Sequence, residues 1–169
     1  MDRLTSSRLM PGIVGAVLRL HLLTGGQRIE QFVALLVADV GTDSITIMDE
    51  KGRPGKAARP HTVPLTPLDV AALQGCNPIG TYSLCIDGGK THISAYTLNR
   101  CAKAAATGIA EFKAKRIRSG VETILAAARI SVDHRGRLQS HGLAGVQNRH
   151  YDGHHYLDEK RHALDTLLN

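Results

Sequence analysis

The sequence is poor in cysteine, with only Cys76, Cys85 and Cys101 among 169 residues. An odd number without Cys-x-x-Cys spacing supports neither a disulfide framework nor a cysteine zinc site, so reduced thiols in a cytoplasm are expected. A long apolar run is also missing. The most apolar stretch, residues 12–23, is interrupted by Arg19 and His21 and falls short of the roughly 20 residues that span a bilayer. Arg3 and Arg8 are followed by no small-residue cleavage pattern, which argues against a secretory signal. The sequence has no internal repeat and no low-complexity tract, so neither a repeat architecture nor wholesale disorder is expected. The expectation is a soluble, cytoplasmic chain with no membrane partner.

The length suits a single domain, residues 1–169. Hydrophobic residues make up 43% and charged residues 21%, proportions that let a chain bury enough apolar surface to fold. The charge is uneven: 21 Lys and Arg against 15 Asp and Glu give +6 with histidine neutral. That points to a polyanionic partner without identifying it. The basic residues gather at Lys51, Arg53, Lys56 and Arg59, then at Lys113, Lys115, Arg116 and Arg118, then at Arg135 and Arg137.

The patterning predicts a mainly helical chain with one small antiparallel sheet, an α+β class. Residues 13–23 are apolar nearly all round, as in a buried helix, and Thr24-Gly25-Gly26 breaks them. A second helical pattern runs from Ile29 to Asp39, with Arg28 on its first turn. Alternation over residues 44–48 and an extended run over 61–65 predict a hairpin with Lys51 near its tip. Thr66-Pro67-Leu68-Asp69 has the form of a helix start. Residues 75–90 read as loop, with a short strand over 82–86. Ser94 caps a helix to about Thr107, another covers 117–129, and Asp133 caps a short helix ending near Ser140. A short helix is expected over 146–152. After Gly153, the stripe of Tyr156, Leu157, Ala163, Leu164, Leu167 and Leu168 is too apolar to stay exposed, and should fold back on its own domain.

Five segments carry chemistry-bearing residues in a definite order. Thr24-Gly25-Gly26-Gln27-Arg28 opens a helix. Lys51-Gly52-Arg53 lies on the hairpin leading to Thr62-Val63-Pro64-Leu65. Arg116-Ile117-Arg118 precedes an apolar helix, and Leu138-Gln139-Ser140-His141-Gly142 and Arg149-His150-Tyr151 follow. In this order they resemble the boxes of the tyrosine recombinases, the phage-integrase family: T-G-x-R, the hairpin lysine, H-x-x-R, L-x-G-H-S and the tyrosine box. The resemblance covers nearly the whole chain and implies the catalytic-domain fold of that family. It implies site-specific DNA cleavage and rejoining, with double-stranded DNA and other protomers in a tetrameric synapse as partners, on the nucleoid when DNA-bound. Family members carry a helical DNA-binding domain ahead of the catalytic one, and these residues contain no counterpart of it.

The chemistry suits those residue types. Metal-independent phosphodiester cleavage needs fixed cations around the non-bridging oxygens, and arginine supplies a permanently charged fork; Arg28 and Arg118 are the pair. Tyr151 is the nucleophile, forming a 3′-phosphotyrosyl link that keeps the bond energy for rejoining, so no cofactor is implied. Tyr156 is the competing tyrosine, better explained by packing. Lys51, with Lys56 as fallback, is the general acid for the departing 5′-oxygen, and His141 donates a hydrogen bond to a phosphate oxygen. His150 and His154 flank the tyrosine as phosphate contacts; no carboxylate or cysteine completes a metal site with them.

The chain departs from the family pattern in four places. Lys115, counted among the catalytic residues, stands three residues before Arg118, where histidine is usual, which leaves the identity of the general base open. Gln31 stands three residues after Arg28, where an acid is usual. Ser119 follows Arg118 where arginine or threonine is commoner, and the interval from His141 to Tyr151 is one residue longer. Lys115 and Gln31 motivate a second reading, a non-cutting DNA-binding module of the same fold. An enzyme acting on small phosphoesters is a third, and would need a compact pocket in place of a long basic groove.

Overall fold

The computed structural model describes residues 3–50, 55, 57–76, 78–106, 108–141 and 155–169. Among them the fold is mixed α+β: a two-stranded antiparallel sheet with helices around it. Helix α1 (Arg3–Leu23) presents Val14, Val17, Leu20 and Leu23 to the core, the three-residue spacing that keeps side chains on one helical face. It ends where the main-chain N–H and hydroxyl of Thr24 both donate to the Leu20 carbonyl, at 2.9 and 2.8 Å, and where Gly25 and Gly26 take positive φ.

Helix α2 is one turn, Ile29–Phe32, and the predicted helix to Asp39 is corrected. Leu36 is extended and bridges Tyr82; Ser83 N–H donates to the Leu35 carbonyl and Val37 N–H to the Thr81 carbonyl, at 2.9 and 3.0 Å. A long-range pairing thus takes the backbone groups that a continued helix would have used. A short 3-10 turn, Val37–Asp39, leads into the sheet. The expected strand near Tyr82 is this single bridge.

Strands β1 (Ser44–Asp49) and β2 (Arg59–Pro64) pair from Ser44 opposite Pro64 to Asp49 opposite Arg59. Ile45, Ile47 and Val63 face the core. Helix α3 (Pro67–Gly75) starts as its sequence predicts: Asp69 N–H donates to the Thr66 hydroxyl, and Thr66 N–H donates back to the Asp69 carboxylate. Ser94 caps α4 (Ala95–Ala105). Helix α5 (Lys115–Ala127) starts two residues before the predicted one. Helix α6 (Val132–Leu138) is capped by Ser131, not Asp133. Asp133 lies in the first turn and pairs with Arg137 one turn on, at 2.7 Å, where a carboxylate also favours the helix dipole.

Helix α7 (Leu157–Leu168) docks on α6, β2, α5 and α1 of its own chain, with Ala163 and Leu164 wholly buried. The remainder of the predicted stripe, including Tyr156, is half-buried. The stripe also holds a residue its apolar pattern hid. Lys160 is only 5% exposed, and its ammonium donates to the Thr62 carbonyl of β2 at 2.6 Å. Burial, and then the nearby Arg137 cation, lower its pKa to about 8. The buried apolar side chains form a cluster running from Val14 to Leu164. No helix among the described residues is long and apolar enough to cross a membrane.

Because Leu164 is fully enclosed, Leu164→Ala should cost about 3 kcal/mol of stability, the range for deleting a buried leucine side chain. Urea unfolding measures it; a loss under about 1 kcal/mol would show that α7 is not docked as described.

Candidate functional site

The site is built on the loop between α1 and α2. Gly26, at φ +64°, lies so near α5 that a Cβ placed on it would sit 2.8 Å from the Arg118 Cα. Only glycine suits both the conformation and the approach. Gly25, at φ +85°, packs on Leu138 in the same way. The loop is held to α1 from behind: the Nε2–H of buried His21 donates to the Gln27 carbonyl at 2.7 Å. Burial lowers the pKa of that imidazole, keeping it neutral. The Gln27 amide donates to the carbonyls of Thr24 (2.6 Å) and Leu138 (3.0 Å).

This contact brings together Arg28, Arg118 and His141, which are far apart in sequence. Arg118 donates to the Gly26 carbonyl at 3.2 Å and to the Gln139 carbonyl. Arg28 donates to the Asp49 carboxylate at 2.9 Å and the Ser140 carbonyl at 3.3 Å. Each guanidinium thus has two N–H groups fixed among the described residues, out of five. The arginines sense one another: desolvation first, then the Arg28 charge, lowers the Arg118 pKa to about 10. Arg118 remains a cation at neutral pH.

His141 is half-buried, and its Nε2–H donates to Gln139 Oε1 at 3.0 Å. Burial, then Arg118, lowers its pKa. With Nε2 engaged, donation to an anion requires a proton on Nδ1, which an approaching phosphate would favour by raising the pKa. The Gln139 amide in turn donates to the carbonyls of Gly25 and Arg118, each at 3.0 Å. Ser140 takes φ +50°, a region that costs a non-glycine residue on the order of 1–2 kcal/mol.

The remaining expected residues are distributed differently. Lys115 opens α5 one turn before Arg118, is exposed, and does not join the described hydrogen bonds of the cluster. Lys51 and Tyr151 lie outside the described residues, as do Lys56, His150, His154 and the helix expected over 146–152. The competing Tyr156 has the Arg137 guanidinium 3.4 Å above its ring, a packing role.

Sequence reasoning missed the scaffold residues. Asp49 accepts from Arg28 Nη1 (2.9 Å), Gln31 Nε2 (2.9 Å), Arg59 Nη2 (3.3 Å) and Ser140 Oγ (2.6 Å). Its side chain is 2% exposed. A signal was present: alternation along β1 places Asp49 on the same inward side as Ile45 and Ile47, where a charge must find partners. Gln139 and His61 gave no such signal.

His61, buried on β2, donates from Nε2–H to the Leu138 carbonyl at 3.0 Å. Leu138 O therefore accepts from both Gln27 and His61.

No family model, curated protein or solved structure matches the chain.

Desolvation, then the Lys160 charge, lowers the His61 pKa from 6.5 to about 4. The unfolded chain therefore binds this proton first as pH falls, so the His61 contribution to stability is complete above about 6.5, declines down to about 4 and then levels. That 6.5-to-4 shift corresponds to at most about 3 kcal/mol. His61→Gln, which keeps a donor for Leu138, should flatten the decline in urea midpoints over this window. A slope equal to that of the parent protein would show that His61 is not the group responsible.

Proposed function

We propose that residues 1–169 are the catalytic domain of a tyrosine recombinase, which cleaves and rejoins double-stranded DNA through a 3′-phosphotyrosyl intermediate without a cofactor. The observation that carries the reading is the convergence of Arg28, Arg118 and His141 on one scaffold formed by the Gly25–Gln27 loop and residues 138–140. Two permanent cations fixed through backbone carbonyls are suited to a phosphate whose charge grows during attack, because they need no reorganisation at that moment. In this reading Tyr151 attacks phosphorus, Lys51 protonates the departing 5′-oxygen, and Lys115, exposed one turn before Arg118, takes the tyrosine proton. The partners are duplex DNA and further protomers bound to it, in the cytoplasm and at the nucleoid.

The exposed Lys115, standing where histidine is usual, also favours the second reading, a DNA-binding module of this fold that does not cut. Covalent trapping on nicked suicide DNA separates the two. In the first reading Tyr151→Phe abolishes the adduct while noncovalent binding stays nearly unchanged, because only the attacking oxygen is removed. An adduct that persists in Tyr151→Phe and disappears in Tyr156→Phe would move the nucleophile to Tyr156.

Arg28→Ala and Arg118→Ala should each slow cleavage by at least about a hundredfold, the scale for losing one preorganised transition-state donor. Rates within a few-fold of the parent protein, in variants whose circular dichroism shows a fold, would remove these residues from the phosphate site.

A further inference from the structure

The half-buried Arg28, with its side chain 18% exposed, pairs among the described residues with one carboxylate, Asp49, at 2.9 Å. Three further side chains, two of them on other elements, also meet at that carboxylate. Gln31 reaches it from the same helical turn as Arg28, Arg59 from the first residue of β2, and Ser140 from the segment after α6. Asp49 and Arg59 are opposite one another in the register, on the rung nearest the hairpin tip. The carboxylate therefore ties the tip-side end of the two strands to the guanidinium and to the Ser140 hydroxyl beside His141.

We propose that Asp49 is a positioning residue: it sets the Arg28 fork for phosphate and fixes the tip-side end of the hairpin strands relative to it. This rests on the reading of Arg28 as a phosphate ligand. The hydrogen bond from the Gln31 amide to Asp49 makes the idea testable by reversal. In the double variant Asp49→Asn with Gln31→Glu, the carboxylate moves to the other end of the same 2.9 Å contact, with the same net charge. A glutamate at position 31 is three residues from Arg28 on the helix, within reach of it.

Cleavage is measured at saturating nicked duplex, with melting temperature and duplex affinity read in parallel. Asp49→Asn should slow cleavage at least about tenfold, since a misplacement of an ångström at a reacting centre costs up to about a hundredfold. Duplex affinity should change far less. Adding Gln31→Glu should recover most of the lost rate. A single variant that cleaves within twofold of the parent protein overturns the inference, as does a folded double variant no faster than the single one. Where Asp49→Asn alone does not fold, a folded and cleaving double variant supports the inference, and a double variant that fails to fold or cleave overturns it. A parent protein that forms no adduct refutes the cleavage reading alone. The readout then becomes duplex affinity, where loss in the single variant and recovery in the double one support the role of Asp49, and equal affinities overturn it.

Discussion

The two arginines meet because main chain rests directly on main chain where the loop after α1 crosses α5. Gly26 leaves no room for a Cβ beside the Arg118 Cα, and that closeness lets Arg118 reach back to the Gly26 carbonyl. Two buried amides among the described residues are anchored at this crossing. Gln139 bonds to carbonyls on both sides of it, and Gln27 links it to Leu138. A contact made by backbone is harder to deform than one made by long side chains, because no rotamer can relax it.

The cluster is costly to bury and correspondingly well satisfied. A carboxylate with four donors among the described residues and guanidinium groups seated on carbonyls offset their lost hydration through charge-assisted hydrogen bonds. Pairs of this kind add little net stability, but removing one partner strands the other in a poorly hydrated place. Around Asp49 the geometry is fixed from several directions at once, which is how a buried polar network selects one arrangement over near alternatives.

Sequence alone revealed the features whose chemistry is local. The Thr66 capping box, the Ser94 cap, the hairpin and the buried face of α7 each follow from residues within a few positions of one another. It failed where a distant segment competed. Helix α2 ends after one turn because Tyr82 and its neighbours take the backbone at Leu35 to Val37, and nothing within residues 29–39 announces that. The order of the boxes singled out Arg28, Arg118 and His141. Their supports, Asp49, Gln139 and His61, acquire meaning only from partners up to 114 positions away. Lys160 was hidden because its stem satisfies the apolar stripe while its ammonium finds a carbonyl.

Ser140 illustrates what such a network asks of the chain. Its backbone sits at φ +50°, a conformation glycine would adopt freely. Glycine, however, would have no hydroxyl to offer Asp49 and nothing to hold the peptide whose carbonyl meets Arg28. The serine is therefore a point of conflict between what relaxes the fold and what furnishes the site. Substitutions selected only for thermal endurance would be drawn toward glycine at this position, and would loosen the guanidinium's seat as they succeeded.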